Sequence, residues 1–249
     1  MKAALDPPLL DEVIQAHGGL ARWRDVNEVS AHIRVGGALM AAKGKRRDHF
    51  SDCRVTVATA EQRVTTEPYP HPGSTGVFDA GAVRILDRGG RVVAEREDGR
   101  SPFFGLSGLA RKLWWSDLDA LYFSSYAMWN YLNTPFMLSG DGYGVVEGEE
   151  AEVEGRRCRR LDVTFPEPVH AHSRRQSFYF DDEGMLRRND YTAQVVGGFA
   201  RGAHFASGHR TFDGIVFPTS RRVLLRAPGG RPLPAPAVVT IELDSIALG

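Results

Sequence analysis

"AHFASGHRTFDGIVFPTSRRVLLR", residues 203–226, decides the fold. Its centre is Asp213–Gly214, set between two apolar-rich runs. A two-residue turn of this type needs positive φ at both central positions. Asp-Gly accepts that cheaply, which makes the pair a strong local signal for a β-hairpin. Just upstream, "SFYFDDEGMLRRNDYTAQVV" (177–196) repeats the pattern around Asp182–Gly184. "YGVVEGEE" (143–150) and "RRCRRLDVTFP" (156–166) read as another strand pair. After the Pro/Gly-rich loop "APGGRPLPAP" (227–236), "AVVTIELDSIAL" (237–248) closes the series. In that last strand Val239, Ile241 and Leu243 face one way, and Thr240, Glu242 and Asp244 the other.

The first third reads the same way. "VSAHIRVGG" (29–37) alternates, with Val29, Ala31, Ile33 and Val35 opposite Ser30, His32 and Arg34. "CRVTVATA" (53–60) and "QRVTTE" (62–67) continue it. "TGVFDAGAVRILDRGGRVVAERED" (75–98) holds three short strands with turns at Asp79–Gly81 and Asp87–Gly90.

Two segments break the alternation. At the N-terminus, Asp6 caps a helix whose first turn holds Pro7, Pro8, Asp11 and Glu12. Gly18 and Gly19 end it, with His17 in the last turn. A second short helix follows around Leu20–Arg24. Between Ser101 and Leu138, "SPFFGLSGLARKL" reads as a loop with a short helix. Ser116 and Asp119 then form a capping-box pattern for an aromatic helix that runs to about Asn133, where Thr134–Pro135 stops it. The expected fold is mainly β (α+β). One domain spanning 1–249 forms a large curved antiparallel sheet, an incomplete β-barrel. The aromatic helix and the short N-terminal helices cover its concave side.

Composition excludes several functions. The 31 basic and 31 acidic residues of the 249 balance, which argues against a surface built to cover nucleic acid or an anionic membrane. The basic clusters Lys43–Arg47 and Arg156–Arg160 are interrupted and read as solvated strand ends and loops. Cys53 and Cys158 make no disulfide framework, and whether they pair is open. No apolar run approaches the ~20 residues of a membrane span. The opening "MKAALDPPLL" contains no signal-peptide core, so the expectation is a cytoplasmic protein with reduced thiols. No nucleophile elbow, phosphate loop, dinucleotide fingerprint or HExxH motif occurs. No cofactor is expected.

The order of elements resembles a known family. "AHGGLARWRDV" (16–26) before the first strand, with a meander ending in "FDGIVFPTSRRVLL" (212–225), is similar to the bacterial lipoprotein-carrier superfamily of the Lol pathway. "SYAMWNYL" (125–132) and "NDYT" (189–192) are similar to segments of uncharacterised bacterial proteins of this length. The resemblance implies a curved half-barrel plugged by helices, with a cavity that takes acyl chains. It implies no activity.

The candidate residues fall in three groups. On the aromatic helix, Leu118, Leu121, Tyr122, Ser125, Met128, Trp129 and Leu132 recur at helical spacing and should pack on the sheet. Tyr126, Asn130 and Asn133 lie toward its flank. Tyr122, Tyr126, Met128, Trp129 and Tyr131 are the candidate ligand contacts, because aromatics with polar tips suit an apolar pocket with a few oriented hydroxyls. In the second group, Asp190 and Tyr191 point to opposite faces of one strand. His204 and His209 on the next strand would also face opposite ways, unless a bulge at Gly208 brings both toward Asp190. A carboxylate that orients an imidazole is the usual core of acid/base work. His32 joins this set if its face is the concave one. In the third, His170 and His172 in "VHAHS" place two imidazoles together on a strand. No third ligand has suitable spacing, so no metal is expected.

Two readings result. One is binding of an apolar small molecule (acyl, prenyl or polyketide-like). The alternative is a cofactor-independent isomerase, lyase or cyclase using His204, His209, Asp190, Tyr191 and His32 in the same cavity. A third is an interaction sheet without a cavity. Partners are an apolar ligand or substrate, with no nucleic acid and no membrane span; oligomeric state stays open.

Overall fold

In the computed structural model, Asp213 and Gly214 take φ of 45° and 85° and join β11 (Arg201–Phe212) to β12 (Ile215–Leu225). The other turn signals hold as well. β9 (Arg175–Phe180) returns as β10 (Leu186–Thr192), and β7 (Gly144–Val153) as β8 (Arg156–Thr164). Upstream lie β1 (Glu28–Gly36), β2 (Cys53–Ala58), β3 (Arg63–Glu67), β4 (Thr75–Asp79), β5 (Ala82–Leu86) and β6 (Val92–Arg96). The final strand is β13 (Val239–Leu248). The structure describes residues 7–46, 50–234 and 236–249. Asp6, expected as a cap, and Arg47 of the first basic cluster lie outside these.

The described strands form one antiparallel sheet in the order β6-β5-β4-β3-β2-β1-β13-β12-β11-β10-β9-β8-β7. It is two meanders joined by the last strand. β13 pairs with β1 from Val29↔Leu248 to Gly36↔Thr240, and with β12 from Ser220↔Glu242 to Val223↔Val239. β6 and β7 are the free edges, so the sheet curls without closing. A register shift opposite His32/Ile33 changes the inward set of β13. Ile241 and Leu243 are buried, and beyond the shift Ile246 takes over.

The helices lie on the side holding the main core. α1 (Pro8–Ala16) buries Leu9, Leu10, Val13 and Ile14. α2 (Gly19–Trp23) stacks Trp23 on Phe136 at 4.2 Å. Short helices α3 (Leu39–Ala42) and α4 (Ser107–Arg111) flank the sheet. α5 (Asp117–Asn133) starts at the expected box: Asp119 N–H donates to Ser116 Oγ (3.2 Å), and Ser116 N–H to Asp119 Oδ2 (2.9 Å).

α5 departs from a one-sided helix. Every residue from Asp119 to Asn133 except Ser124 is buried, including the flank residues Tyr126, Asn130 and Asn133. One side packs on β2 to β6. The connection between β8 and β9 crosses another, where Asn130 Nδ2 donates to the His170 carbonyl at 2.9 Å. A smaller cluster of Val153, Cys158, Tyr179, Ala203 and Phe205 occupies the sheet's outer face. Cys53 and Cys158 are free thiols, buried in these two different clusters.

Candidate functional site

Beside α5, against the sheet, lie two adjacent apolar hollows. The inner part, about 40 Å³, is walled by Phe123, Ala127, Met128 and Tyr131 of α5 and by Ile33 and Val55 among the strand residues. It holds only a few water-sized volumes. The outer groove is about 260 Å³, near the lower end for a small-molecule site. Its walls come from α3, the 193–200 loop, β12 and β13. Phe123, Tyr191, Val223 and Val239 line both parts.

Of the candidate ligand contacts, Met128 and Tyr131 line the inner part, and Tyr122, Tyr126 and Trp129 line neither. Trp129 Nε1–H donates to the carbonyls of Ala58 (2.8 Å) and Glu61 (2.7 Å), tying α5 to the connection after β2. Tyr122 and Tyr126 hold the opposite side. The Tyr122 hydroxyl meets His170 Nδ1 at 2.7 Å, and the Tyr126 hydroxyl meets His172 Nδ1 at 3.1 Å. His172 Nε2 lies 2.7 Å from the Tyr131 hydroxyl, which is 3.2 Å from that of Tyr191. Tyr191 stacks on His172 at 4.0 Å. His170 and His172 are therefore in a connection, not on a strand, and each faces a tyrosine.

The network is uncharged at neutral pH. Burial, with Arg100 adding to it, lowers His172 to about 3. Burial raises Tyr122 and Tyr131 to about 12, against the pull of Arg100 and of Tyr191 with Arg221 respectively. Burial likewise pushes Tyr126 and Tyr191 well above the ordinary tyrosine value. Neutral imidazoles and protonated phenols can orient a polar group or pass hydrogen bonds along the chain. Burial and Arg100 outweigh the upward pull of Asp98 on His170, so neither imidazole is tuned toward neutral pH, which general-base work favours.

The expected acid/base group is not assembled as the sequence suggested. Gly208 has a φ of 66°, yet pairing keeps one register past it, Ser207 with Ser220 and His209 with Pro218. Asp190 pairs with Ala203 on the outer face, where Arg188, Arg226 and Tyr179 bond its carboxylate. Tyr191 and His204 face the core side, so the sheet separates them from Asp190. His204 Nε2 instead accepts from Arg221 Nη1 at 3.5 Å, and burial first, then Arg221, hold its pKa well below the ordinary value. His209 stands 6.4 Å from the His17 ring and is lowered to about 4, chiefly by burial. His32 also belongs to the outer face, where Asp52 takes its Nε2 at 2.6 Å. Its strand neighbours Ala31 and Ile33 point into the core.

Arg221 was not legible as a site residue. It is 3% exposed, and Nη2–H donates to the Tyr131 carbonyl at 3.0 Å. The available signal was its place in "FPTSRRVLL", on the same face as Phe217 and Val223. Among the described residues no group of three or more His, Cys, Asp or Glu side chains could hold a metal ion, and no helix is long and apolar enough to cross a membrane.

An open antiparallel sheet wrapped around buried helices defines a LolA-like half-barrel, and solved structures share it. One is a LolA superfamily protein from Nitrosomonas europaea (TM-score 0.53, 12% identity, 99% of this chain and 94% of that one). Another is a putative outer membrane lipoprotein-sorting protein domain from Vibrio parahaemolyticus (0.52, 8%, 96% and 90%). A third is a DUF1329 family protein from Desulfovibrio piger (0.52, 14%, 98% and 94%). No protein-family model matches the chain, and no curated protein matches its sequence. At such identities the likeness is one of fold. It also corrects the expected compartment. LolA-superfamily and lipoprotein-sorting folds point away from the cytoplasm, which overturns the cytoplasmic expectation. Neutral charge and a short opening segment do not encode compartment.

Proposed function

We propose that the protein binds an apolar small molecule, of acyl, prenyl or polyketide-like chemistry, in the groove between α5 and the sheet. The observation that carries this reading is the apolar outer groove set beside the hollow against α5, the two sharing Phe123, Tyr191, Val223 and Val239 as walls. The fold likeness to lipoprotein-sorting proteins adds support. Met128 is an unbranched, adaptable side chain and Phe123 stands in the wall of both parts; their rotation would lengthen the inner part for a chain. Tyr131 and Tyr191 would supply the oriented hydroxyls at that end. Tyr122, Tyr126 and Trp129 would act indirectly, by fixing the helix that carries the wall.

Native mass spectrometry of protein purified from its own host should find a co-purifying apolar mass that is lost on denaturation. Val196→Trp, in the loop wall of the outer groove, should weaken a fluorescent fatty-chain probe about tenfold, roughly 1.4 kcal/mol. Unchanged probe affinity in a folded Val196→Trp variant would reject the groove as the binding place.

A further inference from the structure

The outer groove has charged lining residues of one sign, Lys43 and Lys112. They sit at its end next to α4 and at different depths, Lys43 buried and Lys112 exposed. The Lys43 ammonium donates to the carbonyls of Lys112 (2.6 Å) and Arg111 (3.3 Å) and lies 5.3 Å from the centre of the Trp115 ring. An ammonium has three N–H donors, so one remains beyond those two carbonyls. Among the described residues no carboxylate forms an ion pair with either lysine. The nearby acids are engaged elsewhere: Asp117 takes Lys45 at 2.6 Å, and Asp119 takes Arg96 and Arg111. Among the described residues no Asp or Glu lines the groove, although the whole chain is neutral. Burial lowers the pKa of Lys43, the response of an ammonium that lacks a counter-charge.

We propose that the ligand is an anionic amphiphile whose chain fills the groove and whose carboxylate or phosphate head pairs with Lys43 and Lys112. This rests on the apolar-binding reading above. Lys43 meets the head from inside and Lys112 from the rim. A ligand of the same length with a neutral head leaves both ammoniums unpaired, and one with a cationic head is repelled.

Competition titrations against a fluorescent fatty-chain probe, using matched dodecyl ligands, test this. Dodecanoate or dodecyl phosphate should displace the probe at least about tenfold better than dodecanol, and dodecyltrimethylammonium should be weakest. Lys43→Met and Lys112→Gln should each shrink the ratio of dodecanoate to dodecanol affinity several-fold. Lys43 also holds the last carbonyls of α4, so Lys112→Gln, at an exposed position, keeps the test valid if Lys43→Met unfolds. Displacement by acetate or inorganic phosphate alone would overturn the amphiphile and leave a simple anion site. Equal affinity for all dodecyl heads would overturn the head assignment while sparing the apolar-binding reading. A carboxylate preference that survives both substitutions would remove it from these lysines. Binding of no dodecyl ligand would overturn the apolar-binding reading itself.

Discussion

Arg221 is a buried cation, and among the described residues no carboxylate forms an ion pair with it. Burial pulls its pKa to about 10, against Tyr131 and Tyr191, so it stays charged at neutral pH. Its guanidinium lies 5.1 Å from the centre of the Tyr131 ring and bonds the carbonyl of the same residue. A permanent charge here is compatible with the fold only while the surrounding imidazoles stay neutral. That sets the pH behaviour. His172 and His209 bind protons with pKa of about 3 and about 4 when folded, and near 6.5 when unfolded. The unfolded chain therefore takes up protons first as pH falls. Stability is intact above about pH 6.5 and is lost between there and the folded values. At pH 5 each residue costs about 2 kcal/mol, about 4 kcal/mol together. Urea unfolding at pH 7.5 and pH 5 should show a loss of at least that size, because burial lowers His204 as well, and His172→Gln should remove about 2 kcal/mol of it. A stability independent of pH over this interval would mean that these rings are solvated.

At the scale of the element, α5 shows what a sequence exposes and what it hides. Both of its ends were legible, because capping and helix-stopping are chemistry within a few residues: Ser116 with Asp119, and Thr134–Pro135. Ser116→Ala should lower stability by about 1 kcal/mol in thermal or urea melts. Its surroundings were hidden, because they come from residues far along the chain. One clue lay in matched spacings. Tyr122 and Tyr126 are separated by four helical residues, a rise of about 6 Å. His170 and His172 are separated by two extended residues, about 6.6 Å. Two such pairs can meet rung for rung, as they do. The Asp190 constellation failed for the opposite reason. It required a bulge that local sequence does not specify, since positive φ at Gly208 is compatible with an unshifted ladder. Trp129 separates support from binding. It ties the helix to the strands and does not line the groove. Trp129→Ala should cost about 3–5 kcal/mol. Its remaining folded fraction, measured at low temperature, should bind a fatty-chain probe as the parent does; a lost affinity in folded protein would place the ring in the site.

At the scale of the whole molecule, the hairpins were legible one by one, and their assembly was not. Each hairpin is closed by its own turn, but the described strands of the two meanders join in one ladder where β13, last in the chain, inserts between β1 and β12. No short-range signal marks that pairing; it follows from burying the apolar face of each strand. β13 therefore bears more than its share of the fold. Ile241 and Leu243 fill the core, and Val239 and Ile241 also wall the inner hollow, with Val239 reaching the outer groove. The outer edges are different. β7 carries Glu147, Glu149, Glu150 and Glu152, charges that discourage pairing with another sheet, and its Val146 is exposed. A matched pair of substitutions tests this asymmetry. Leu243→Asp places a carboxylate in the apolar core between the meanders, one pleat away from the Arg221 pairing position, and should cost about 4 kcal/mol or more, abolishing a single cooperative melt or the soluble protein itself. Val146→Asp makes the same chemical change at the edge and should shift stability by no more than about 0.5 kcal/mol. Equal, small losses at both sites would show that the two meanders hold their shapes without the seam, and that the groove wall they share is not fixed by it.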